Sequence, residues 1–93
     1  MKKLELIELF NYEMDEKLII LDKLNREAEI RKKDVEEIHT RFHSGEIRTL
    51  EEAEELAREA DQHIARMEEI QEKVRLMIVE IMFDIRAIHE AKD

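Results

Sequence analysis

Residues 74–88 read Val-Arg-Leu-Met-Ile-Val-Glu-Ile-Met-Phe-Asp-Ile-Arg-Ala-Ile, with apolar side chains on nearly every side of a helix. A surface helix of a small globular protein carries one apolar stripe and keeps a polar face for water. This stretch keeps little polar face, so it must be covered from at least two directions. A single partner helix from the same chain covers only one. The segment reads as an assembly surface.

The helix containing it is expected over about 50–91. Ala53, Ala57, Ala60, Ile64, Met67, Gln71, Val74, Ile78, Ile81, Ile85 and Ile88 follow a 4-3 rhythm, which keeps one seam facing a partner helix. A second stripe, Leu56, His63, Ile70 and Met77, lies beside it. Near its start the seam is alanine, which lets two helices approach closely. Toward its end the seam is large and flanked by Leu76, Val79, Met82 and Phe83.

A first helix is expected over about 2–43, with Ile7, Phe10, Met14, Lys17, Leu21, Leu24, Ala28, Arg31, Val35, Ile38 and Phe42 in the same rhythm. Lys17 and Arg31 occupy two of these seam positions. Their aliphatic stems are expected to cover apolar surface while the charges reach solvent. Leu4, Leu18, Ile19 and Ile20 broaden the apolar face of the N-terminal half, and beyond Ala28 the face narrows to the seam.

Between the two helices Ser44-Gly45 is a stop, because glycine takes the left-handed conformation that closes a helix at no Cβ cost. Thr49-Leu50-Glu51-Glu52 is a restart. Thr49 can accept from the Glu52 N–H and the Glu52 carboxylate can return the bond, forming a capping box. Glu51, Glu52, Glu54 and Glu55 crowd the positive end of the new helix.

The expected fold is all-α: a long antiparallel helical hairpin, a single helical domain over 1–93, with residues 4–24 beside 70–88. The two broad apolar faces then coincide at the open end, and pairing two hairpins into a four-helix bundle dries them. The expected interface is Ile7, Phe10, Met14, Leu18, Leu21, Val74, Met77, Ile78, Ile81, Met82, Ile85 and Ile88. The alternative is a break in the first helix near Asn25 or Asp34, giving a folded-back three-helix monomer, although neither position has glycine or proline.

Composition narrows the classes further. A chain of 93 residues bounds one small domain, marginal unless stapled or oligomeric. Without cysteine there is no disulfide framework, thiolate metal site or cysteine nucleophile. No proline and one glycine exclude a β-sandwich, a Gly-rich phosphate loop and a Rossmann fold, all of which need turn residues. A formal charge of −9 opposes general affinity for nucleic acid or acidic lipid. No basic-apolar-small leader opens the sequence and no run of eighteen apolar residues spans a bilayer, so a cytoplasmic location is the expectation. Dense Glu, Lys, Arg and Ile also resemble a thermophile's composition.

Three groups of polar residues are candidates for chemistry. Glu36, His39 and His43 stand at i, i+3 and i+7 on one side of the first helix, and Glu-x-x-His is the pair that di-iron four-helix bundles project inward. Counting from Gly45, His63 approaches His39, so Glu36, His39 and His63 form a zinc-competent set of nitrogen and oxygen ligands. A half-buried seam histidine is the plainer reading of His63, and His89 complements the C-terminal dipole of its helix. Lys23, Arg26, Arg31, Lys32 and Lys33 are the one concentrated basic segment, with Arg31, Lys32 and Lys33 the candidate nucleic-acid contacts. Interleaved Asp22, Glu27, Glu29 and Asp34 cancel much of that charge, and no aromatic is present to stack a base. No serine or threonine occupies a nucleophile elbow, and no cofactor is expected.

Arg26-Glu27-Ala28, Glu37-Ile38-His39, His43-Ser44-Gly45-Glu46 and Ala53-Glu54-Glu55-Leu56-Ala57 resemble the first helices of archaeal translin-type proteins over residues 18–67. The resemblance implies an all-helical protein that oligomerises into a shell and binds or cleaves single-stranded RNA. The later helices, which carry the acidic residues of the nuclease-active relatives, have no counterpart, so cleavage does not carry over. The all-helical chorismate mutases also have a long first helix, but their Asp-x-x-Arg-Glu segment is missing here and only Arg26, Arg31 and Arg41 lie along the helix. The reading from sequence is a non-enzymatic helical-bundle protein that self-associates, preferably as a dimer, or docks on another helical protein. A translin-like RNA-binding component and a metal-binding bundle are the alternatives.

Overall fold

The computed structural model describes residues 2–92 and contains two helices, α1 (Lys3–His43) and α2 (Leu50–Glu90), packed as an antiparallel hairpin. Helix α1 runs unbroken through Asn25 and Asp34, so the three-helix alternative does not occur. Nothing in its sequence removes a backbone donor or favours another conformation, and the i to i+4 ladder continues.

Helix α1 stops where expected. Gly45 is left-handed at φ +78°, and the Ser44 hydroxyl donates to the Arg41 carbonyl at 3.1 Å. The start of α2 differs from the expected box in one detail. The Glu52 N–H donates to Thr49 Oγ1 at 3.1 Å, but the Glu52 carboxylate accepts from the Arg48 N–H at 3.2 Å rather than from Thr49. The return bond reaches one residue further back, and two otherwise unpaired donors are still satisfied.

Contacts within the chain divide it into two units. One comprises the residues up to Leu24 with those from Glu72 onward; the other is Asn25–Gln71. In both, α1 presents the stripe that its spacing indicates. Ile7, Phe10, Met14, Lys17, Leu21, Leu24, Ala28, Arg31 and Val35 are half-buried and Ile38 is buried, whereas Phe42 is exposed beyond the end of the packed stripe.

Helix α2 is rotated from the expected seam. Its covered positions are Ala53, Leu56, Ala60, His63, Met67, Ile70, Val74, Met77, Ile81, Asp84 and Ile88. The column Ala57, Ile64, Gln71, Ile78 and Ile85 is exposed, and the neighbouring stripe of Leu56, His63, Ile70 and Met77 forms half of the seam. Leu56 and Ile70 are two of the three buried residues among those described, at 8% and 3% exposure. Seating Gln71 there instead would strand a primary amide in an apolar layer, a cost of about 1–3 kcal/mol.

A Cβ built on Gly45 meets no atom within 4 Å, so substitution there tests backbone conformation alone. Gly45→Ala should lower stability by about 1–2 kcal/mol, and Gly45→Asn by less, because only the left-handed φ is penalised. Urea midpoints of the two variants at constant m-value check this.

Candidate association surface

The unit built from the two chain ends contains no buried residue among those described; Ile38, Leu56 and Ile70 all belong to Asn25–Gln71. Yet it carries most of the large apolar side chains left in solvent. Leu4, Leu9, Tyr12, Leu18, Ile19 and Ile20 on α1, with Leu76, Ile78, Met82, Phe83 and Ile85 on α2, are each more than 40% exposed. The other unit has four such residues, Ile30, Phe42, Leu50 and Ile64.

The interface inferred from sequence separates into two sets. Ile7, Phe10, Met14, Leu21, Val74, Met77, Ile81 and Ile88 are half-buried on the stripes that pack within the hairpin. Leu18, Ile78, Met82 and Ile85 are exposed, off those stripes. Phe83 is 62% exposed as well, and with Val79, Met82 and Arg86 it lines a shallow groove of ≈ 120 Å³. The sequence signal for it is the near-continuous apolar run itself; Leu9 and Tyr12 gave no such signal because Glu8, Asn11 and Glu13 surround them.

Lys17 does not send its charge to solvent as expected. Its side chain is only 17% exposed, and its ammonium donates to Asp84 at 3.2 Å and lies 3.6 Å from Glu80, both on the opposite helix. Burial alone would lower the ammonium's pKa. The hydrogen bond to Asp84 and the fields of Asp84, Glu80 and Glu13 outweigh that and hold it above its ordinary value.

The Asn25–Gln71 unit is crossed by a longer polar chain. Glu27 accepts two bonds from the Arg66 guanidinium, at 2.6 and 2.9 Å, and one from Arg31 Nε at 2.9 Å. Arg31 in turn places Nη1 3.1 Å from His63 Nδ1. A guanidinium only donates, so this His63 nitrogen accepts and the ring proton sits on Nε2. That nitrogen faces Asp34 and Glu59 at 3.8 and 4.0 Å, too far for direct hydrogen bonds. The pattern of either helix alone indicates seam positions for Arg31 and His63 but not this network. Glu27 and Arg66 flank their seams, and only the hairpin register shows that they meet.

The residues considered for metal and nucleic acid are dispersed. His39 lies beside His43 on an exposed turn, Glu36 lends its carbonyl to the Thr40 hydroxyl, and His63 is held by Arg31. Among the described residues no group of three or more metal-ligating side chains is assembled. Lys32 and Lys33 are exposed while Arg31 faces inward, so the three do not form one cationic surface.

The two guanidinium groups hold the Glu27 carboxyl down at about 2 from an ordinary 4.5, chiefly through the hydrogen bonds from Arg66 and Arg31. A carboxyl depressed on folding contributes stability that is fully present above its unfolded value and disappears as pH falls through the folded one. Glu27→Gln should lower the melting temperature at neutral pH, and the difference from wild type should shrink between about pH 4.5 and 2. Circular-dichroism melts of the two proteins across that range measure it.

No helix among the described residues is long and apolar enough to cross a membrane. No family model matches the chain, and no curated protein or solved structure is significantly similar to it.

Proposed function

We propose that this is a non-enzymatic assembly protein: a helical hairpin that pairs with a second copy through the open faces of residues 4–24 and 74–88, forming a four-helix bundle that serves as a structural or adaptor module. The observation that carries this is the contrast within the unit of the two chain ends, which is rich in apolar side chains yet buries none of the described ones. Exposed apolar patches of that extent mark interaction sites.

Surface area gives the magnitude. The chain exposes 7558 Å², whereas a folded monomer of 11.2 kDa is expected to expose roughly 5,700 Å². The excess, roughly 1,900 Å² per chain, is surface that a two-helix hairpin cannot cover by itself and that a partner could. The charge of −9 discourages indiscriminate clustering, while apolar faces on both helices suit a closed two-fold pairing.

Met82 and Phe83 separate association from folding because they are 60% and 62% exposed and lie off the seam. Met82→Glu with Phe83→Glu should weaken dimerisation by roughly 100-fold or more while leaving helicity intact. Sedimentation velocity and native mass spectrometry give the mass, and circular dichroism the helicity. A wild-type chain that remains monomeric at high concentration, or a variant of unchanged mass, refutes the proposal.

A further inference from the structure

Near the end of α1, His39 and His43 stand one turn apart with their Nε2 atoms facing each other at 3.1 Å and ring centroids 4.3 Å apart. Both residues are exposed, so water can solvate each ring and a mutual hydrogen bond adds little. The arrangement has a second consequence. Histidines at i and i+4 on one helix face are a recurring way to hold a transition metal, and here the same nitrogen of each ring points at the same place.

The separation suits a chelate. Two imidazole nitrogens 3.1 Å apart, each about 2.0–2.1 Å from a shared ion, subtend roughly 100° at it. That lies between the right angle of neighbouring octahedral ligands and the tetrahedral angle, so neither ring has to move far. The helix end assists, because the unpaired carbonyls of its last turn favour a positive charge. The one cation close by in sequence, Arg41, has its guanidinium turned to Glu46 at 3.6 Å.

We infer that His39 and His43 form a two-histidine chelate for a borderline first-row divalent cation of the Ni²⁺, Cu²⁺ and Zn²⁺ class, with water or a second copy of the chain completing the coordination. Imidazole donors select this class over Mg²⁺ and Ca²⁺, which take oxygen ligands. His63 and His89 are not part of the site. The chelate is independent of the dimerisation proposed above, since it uses no residue of the apolar face.

The test is calorimetric titration of the full chain with Ni²⁺ at neutral pH, with Mg²⁺ as the comparison cation, on wild type, His39→Ala, His43→Ala and a His63→Ala/His89→Ala control. Both chelating residues are exposed, and circular dichroism verifies that the variants remain helical. The expected result is Ni²⁺ binding that weakens roughly tenfold or more in each of His39→Ala and His43→Ala, at least the loss that follows removal of a mere supporting group. The control should match wild type, and bound Ni²⁺ should raise the melting temperature only where both histidines remain. No Ni²⁺ binding by wild type, equal binding by either single variant, or loss in the control alone overturns the assignment.

Discussion

A helix in a two-helix hairpin has one neighbour. Only the stripe turned to that neighbour can be dried by the chain itself, and every other apolar side chain stays in water unless another molecule arrives. This constraint governs the whole protein. In Asn25–Gln71 the apolar residues are largely confined to the seam, and the unit closes with Ile38, Leu56 and Ile70 buried. In the unit of the chain ends the apolar residues exceed what one seam can accept, and none of the described ones is buried. The same architecture gives one unit with buried residues and one with more exposed apolar side chains, and the placing of apolar residues along the helices makes the difference.

The seam is not uniformly apolar, and its polar positions answer one another. Lys17 meets Asp84, and Arg31 meets His63 while sharing Glu27 with Arg66. A partly buried charge without a partner is costly, so these layers penalise the wrong alignment more than they stabilise the right one. A slip of one heptad along α2 in one direction would set Lys17 against Met77, Arg31 against Leu56 and Glu27 against Glu59. In the other direction Lys17 would meet Ala91 and Arg31 would meet Ile70. Apolar layers tolerate such slips. The polar ones do not, and they hold the hairpin in register.

The same logic explains what the sequence disclosed. Helix α1 has one apolar column pair that stands clear of its polar flanks, and its seam was legible nearly to the end. Gly45 was legible because only one residue in the chain takes its φ freely. In α2 two adjacent columns are apolar. Leu56, Ile70 and Met77 compete with Ile64, Ile78 and Ile85, and each column contains polar members. Periodicity cannot choose between them. On pattern alone Asp84 disqualifies the true column until Lys17 is placed opposite it, and Gln71 disqualifies the other only once a neighbour covers that position. Long-range pairing, absent from a single helix's pattern, makes the choice.

That ambiguity in α2 has a physical source that bears on function. A helix with two competing apolar columns is one that can face two neighbours at once, and the rejected column, Ile64, Ile78 and Ile85 with adjoining Met82 and Phe83, is what remains exposed at 41–62%. A helix selected only to complete a hairpin would gain from polar residues there, as α1 does beyond Ala28 with Glu29, Lys32, Lys33 and Glu36. Isoleucine, methionine and phenylalanine exposed to solvent carry a solubility liability, which the proposed pairing would remove. The feature that defeats the sequence reading of the seam is thus the same one that supports the association surface.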